Sequence, residues 1–150
     1  MNFIEIVSAL LVPLIAIITT YIAVQQYRLE KARLKFELFE KRYMVFRTIM
    51  ETIGTVTRKG RVTQEELSTF AATTRQGFFL FGDDVNFHVD QIYDKCNRLD
   101  YVFNRLADQG LRGGEERNRL DHENSEIFNW FQEQINVTKT LFARYLQIWN

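Results

Sequence analysis

The 150-residue chain carries 46% hydrophobic and 14% aromatic residues, enough for one packed domain plus an attachment and too much for a disordered chain. One proline, at position 13, and a Leu-, Arg-, Glu-, Gln- and Lys-rich remainder exclude a β-rich fold and point to an almost wholly helical one. The net charge of zero hides a split: residues 25–61 hold ten Lys/Arg against four Glu, net +6, while residues 62–150 hold nine against fourteen acids, net −5.

Residues 6–24 form the first element, nineteen positions without a charge, interrupted by Ser8, Pro13, Thr19 and Thr20. At ~1.5 Å per residue such a helix covers about 28 Å, close to the hydrocarbon thickness of a bilayer. The leader MNFIE has no basic residue and AVQQYRLEK follows where a cleavage site would stand, so the run reads as a retained anchor rather than an export signal. Arg28, Lys31, Arg33 and Lys35 follow the run and only Glu5 precedes it. Positive residues stay inside, so the N-terminus is expected outside and the remainder in the cytoplasm. Tyr21 and Tyr27 fit the inner headgroup level, and Pro13 predicts a kink near mid-membrane. Ala9, Pro13, Ala16, Thr20 and Ala23 recur at steps of 4, 3, 4, 3, a small-residue face suited to close helix packing in the bilayer.

Nothing between Val24 and Phe46 stops a helix. Leu29, Ala32, Phe36, Phe39, Tyr43, Phe46, Met50 and Ile53 alternate steps of 3 and 4, a heptad stripe, and Leu34, Leu38, Val45, Ile49 and Val56 form a second. One stripe can build a core and the other meet a neighbouring copy, so a homo-oligomer is expected. Gly54 or Gly60 is the expected stop.

Thr63 with Glu66 is a capping box opening a second helix, expected to carry Leu67, Phe70 and Phe78 and to end at Gly82. Asp83 is then expected to cap a third, with Val85, Val89, Ile92, Cys96, Leu99, Phe103 and Leu106 inward. A fourth starts near Glu115 and turns apolar through Ile127, Trp130, Phe131, Ile135, Val137, Leu141, Phe142, Tyr145 and Leu146. The fold class expected is all-α: a transmembrane anchor (1–26) and a cytoplasmic up-down four-helix bundle (27–150) with helices at about 27–55, 64–81, 84–109 and 115–148. The basic first helix is expected to lie against the acidic later ones. Phe78, Phe79, Phe81 and Trp149 fall at the membrane-near end, with core packing the favoured role.

The segments QQYRLEKARLKFELFEKRYMVF, FFLFGDDV, IYDKCNRL and LFARYLQIW together resemble small single-pass bacterial inner-membrane proteins of uncharacterised families, some of this size being associated with antiphage defence. The resemblance implies an anchor with a cytoplasmic helical domain and carries no catalytic motif.

No GxSxG, Walker, HExxH or dinucleotide signature is present, so the chain is not expected to be an enzyme or to hold a cofactor. The single Cys96 excludes an internal disulfide and any CxxC motif and reads as a buried structural thiol. His88 reads as a partly exposed structural residue. Asp121, His122, Glu123 and Glu126 are the densest set of metal-ligand types, but the i, i+4 pair His122 and Glu126 lacks a third ligand, so no metal site is expected. Arg58, Lys59 and Arg61 in one turn and Arg112, Arg117 and Arg119 in another are expected to share the membrane-far tip, where an anion could bind. Two functions follow: a non-catalytic, membrane-anchored interaction or sensor module with a protein partner, or a membrane effector of antiviral defence triggered by a nucleotide second messenger at that tip.

Overall fold

The computed structural model describes residues 3–108 and 113–147, without the side chains of residues 3–10 and Val12. Four α-helices and one short 3-10 turn make up its regular structure, and no strand occurs among the described residues. The chain divides into two compact units, residues 1–38 and 39–150.

Helix α1 (Phe3–Lys59) passes through Pro13 without a break. In the first unit every described side chain from Leu11 to Leu38 is exposed. The Thr19 and Thr20 hydroxyls donate to the carbonyls of Ile15 and Ala16 at 2.9 and 2.8 Å, so their polar atoms are satisfied within the helix. Among the described residues no helix is long and apolar enough to cross a membrane, and the side chains of residues 6–10 and Val12 of the uncharged run lie outside that description.

In the second unit α1 ends where Gly60 takes φ 69°, a left-handed conformation that glycine adopts without a Cβ penalty. Gly54 does not stop it. Helix α2 (Gln64–Gln76) opens on the expected capping box: Glu66 N–H donates to Thr63 Oγ1 at 3.2 Å and Thr63 N–H donates to Glu66 Oε2 at 2.9 Å. It ends at Gln76 rather than at Gly82, and a 3-10 turn (Phe78–Leu80) follows. Gly77, the C-cap of α2, is a point of close approach. A Cβ on Gly77 would stand 2.5 Å from Val45 Cγ2, so the glycine is where α2 touches α1. Its φ of −85° is ordinary, and Gly77→Ala therefore acts through this clash alone. A loss of about 1–3 kcal/mol is expected in urea unfolding, since buried Val45 is β-branched and has a stiff rotamer; a wild-type midpoint would mean that α1 and α2 do not touch there.

Helix α3 (Asp83–Ala107) begins on an extended Gly82 with no side-chain cap, so Asp83 is not the cap but an acid in the first turn, facing the helix dipole. Its buried line is Val85, His88, Ile92, Cys96, Leu99 and Val102. Phe103, expected inside, is 39% exposed and lies under the Arg61 guanidinium, while Val102 beside it is buried with Leu120. Helix α4 (Glu115–Ala143) buries Leu120, Ile127, Phe131, Gln134, Thr138 and Phe142, while Val137, expected inside, is exposed.

Helices α3 and α4 run antiparallel: Arg105 meets Glu116, Arg98 meets Glu123, His88 meets Thr138 and Asp84 meets Arg144. Phe46 packs on Phe142 with the rings tilted by 50° and 5.4 Å between centroids, joining α1 to α4. The up-down bundle thus forms around Val45, Ile49, Ile53 and Val56 of α1, the second of the two stripes supplying most of that line.

The charge split is cancelled across the bundle only in part: Lys59 of α1 reaches Glu66 of α2 as expected, whereas Arg33 and Arg47 pair with Glu37 and Glu51 of their own helix and Arg42 donates to the carbonyls of Leu80 and Tyr145. Four-residue spacing on one helix gives these arginines nearer carboxylates than the later helices can.

Candidate functional site

The α1–α2 turn, the last turns of α3 and the start of α4 stand at one end of the bundle. Arg61 lies over the Phe103 ring at 5.4 Å, which sets the first turn against the last turns of α3, and Arg105 of α3 reaches Glu116 at the start of α4 at 2.9 Å.

The charges there are compensated rather than pooled. Lys59 Nζ donates to Glu66 Oε1 at 3.1 Å. The Thr63 backbone N–H, with Lys59 beside it, holds the Glu66 carboxyl below the usual carboxylate range, so the acid stays ionised in the middle of the basic turn. Arg61 is engaged by the Phe103 ring face. Arg105 also donates to Asp108 at 3.3 Å. Arg58, Arg117 and Arg119 are exposed, and Arg112 lies outside the described residues. Arg119 adds to the attraction that keeps the Glu123 carboxyl ionised, although the larger cause is the hydrogen bond from Arg98, at 2.9 Å through Nη2. An anion approaching this tip meets Glu66 and Glu116 together with the arginines.

Beside it, α1 and α2 enclose a groove of about 480 Å³ lined by Thr48, Thr52, Thr55, Thr63 and Thr69 with Glu51, Glu65 and Glu66. The Thr52 and Thr69 hydroxyls donate to the carbonyls of Thr48 and Glu65, which leaves their lone pairs turned outward. The groove therefore offers acceptors and negative charge, the opposite of an anion site. The Thr63 hydroxyl donates to Glu66 Oε2 at 3.0 Å and accepts from the Glu66 N–H as the cap of α2. The threonine repeat at positions 48, 52 and 55 was the signal for this groove in the sequence.

The other candidate residues are dispersed. His122 Nδ1 lies 3.6 Å from Glu126 Oε2 on the exposed face of α4, while Glu123 turns to Arg98. Among the described residues no group of three His, Cys, Asp or Glu side chains could hold a metal ion. Cys96 is buried as expected, its thiol pushed up to about 12 by desolvation, which makes it unreactive. His88 is not partly exposed but buried, with Nε2 2.8 Å from Thr138 Oγ1. The reason is the helical period: position 88 sits one turn from Val85 and Ile92 on the inward face.

At the opposite end Phe81 packs on Phe142 and Tyr145, but Phe78 and Phe79 are exposed, the latter by 92%. Arg42 binding the Leu80 carbonyl and Asn86 binding the Phe78 carbonyl at 3.2 Å hold the turn so that these two rings point away from the core. Trp149 lies outside the described residues. Of the small-residue face, Pro13, Ala16, Thr20 and Ala23 are exposed, and the side chain of Ala9 lies outside the description.

Compared with known proteins, the chain matches no family model, no curated protein and no solved structure.

Proposed function

We propose that the chain is a membrane-anchored, non-catalytic helical module that presents its bundle to a protein partner on the cytoplasmic side of a bacterial inner membrane and works as a homo-oligomer. The observation that carries this reading is the uncharged run of residues 6–24, which lies within α1 and is followed on the same helix by Arg28, Lys31, Arg33 and Lys35. A nineteen-residue uncharged helix whose described side chains are all exposed has lipid as its natural solvent, and the cations set the orientation. The hydroxyls of Thr19 and Thr20, bonded inward, add no polar demand on that solvent. The non-catalytic part of the reading rests on how the polar side chains of the tip are used: they cap, pair and stack.

A reporter fused after Asn150 tests the topology. A C-terminal green fluorescent protein is expected to fluoresce, a C-terminal alkaline phosphatase to be inactive, and the chain to stay with carbonate-washed membranes. Release into the soluble fraction, or an active phosphatase, would overturn the reading. Neutralising Arg58, Lys59, Arg61 and Arg112 together is expected to leave membrane association and partner capture unchanged. Loss of a nucleotide-dependent response in that variant would instead favour the effector reading, which no particular contact of the tip supports.

A further inference from the structure

The first stripe of α1 enters the core at Phe46 and Ile53, but its earlier part has no partner from the bundle among the described residues. Leu29, Phe36 and Tyr43 repeat every seven residues and are 73%, 58% and 45% exposed, with Ala32 and Phe39 at the alternate steps. A repeat of 3.5 residues is what a left-handed pair of like helices requires, because the seam faces its partner only when the apolar line closes on itself every two turns.

The charges beside the stripe indicate which helix covers it. With Leu29, Phe36 and Tyr43 on the seam, Lys35 and Glu40 stand on its two flanks, spaced so that in a parallel, in-register pair Lys35 of one helix faces Glu40 of the other. Neither forms an ion pair among the described residues. The other facing pairs are of like sign, Arg28 with Arg33 and Arg42 with Arg47. Here the structure removes much of the conflict. Arg33 is neutralised by Glu37 at 3.1 Å, Arg47 by Glu51 at 3.5 Å, and Arg42 is bound to backbone carbonyls. Lys35 and Glu40, left over on the flanks, complement each other.

We infer that α1 of this chain pairs in parallel and in register with α1 of a second copy, through Leu29, Phe36 and Tyr43 and an ion pair between Lys35 and Glu40. The inference rests on the anchored homo-oligomer above, since anchors inserted in one direction supply the parallel orientation and the shared height, and tethering raises the effective concentration.

Disulfide scanning of the full-length chain in membranes tests it. Single cysteines at Leu29, Phe36 and Tyr43 are compared with single cysteines at Glu30, Leu34 and Lys41; buried Cys96 does not compete. These are surface positions, so the bundle stays intact. Dimer bands are expected at the first three, with yields at least about fivefold above the second three. Lys35→Glu is expected to reduce the yield at Phe36 severalfold, and adding Glu40→Lys to restore it. Bands at Leu34 and Lys41 instead, or no restoration in the double variant, overturn the seam. Single-molecule photobleaching separates the two levels: several copies per spot without seam crosslinks sinks this interface alone, whereas one copy per spot sinks the oligomer too.

Discussion

Phe142→Ala will remove about 3–5 kcal/mol of stability, the range for deleting a large ring from a site that cannot collapse. Phe142 is fully buried, with its ring 5.4 Å from Phe46 and 5.0 Å from Phe81. It is the point where α4 meets α1 and the 3-10 turn. Those neighbours are themselves pinned, Phe81 by Tyr145 and the turn by Arg42, so the void is expected to remain open. A domain of this size holds about 5–15 kcal/mol in all, and the variant sits near its folding threshold. The buried thiol of Cys96 gives the readout: maleimide labelling of the full chain in detergent is expected to go from protected to complete within the assay. Phe87→Ala, which deletes an equally large but exposed ring, is expected to change stability by less than about 0.5 kcal/mol. Equal labelling of the two variants would mean that the α1–α4 contact contributes little.

What could be read from the sequence was local. The capping box at Thr63 and Glu66 needs only residues three apart, and it formed as expected. The start of α4 at Glu115 was likewise carried by one or two residues, whereas the stop of α1, expected near residue 55 at Gly54 or Gly60, came only at Lys59. Which flank of a helix is buried depends on where its neighbours stand, and there the reading failed in specific places. The α3 stripe ran to Phe103, in line with Val85, but at that end of the helix Leu120 of α4 stands beside Val102, and Val102 went inside instead. On α4 the inward positions were taken by Gln134 and Thr138, which apolar counting skips. Each is tolerable inside because it has a partner at hand, the Trp130 carbonyl for Gln134 and His88 for Thr138. At the basic tip the acids were underestimated, since Glu66 was read as a cap and not also as the counter-charge of Lys59.

The burial of His88 will make the bundle acid-sensitive above the range where its carboxylates titrate. Burial holds the His88 imidazole below its ordinary pKa of 6.5, so the folded chain refuses a proton that the unfolded chain accepts. Above about pH 6.5 neither state is protonated and stability is flat; as the pH falls below that value the unfolded state gains the proton first, and stability declines until the folded pKa is passed. Glu66 and Glu123 act in a lower window. Their folded pKa values are depressed, so their contribution is complete above about 4.5 and is lost only below it. The decline between about pH 6.5 and 4.5 therefore belongs to His88, and His88→Gln is expected to flatten it whatever that variant does to the midpoint at about pH 8. Thr138→Val, matched in volume and placed at a fully buried site, leaves Nε2 without its 2.8 Å partner and is expected to lose about 1–3 kcal/mol at neutral pH. Urea midpoints of the full chain in detergent from about pH 8 to about pH 4.5 check both. An unchanged slope in His88→Gln would place the acid response elsewhere, and a Thr138→Val midpoint equal to wild type would mean that the hydroxyl and the imidazole do not depend on each other.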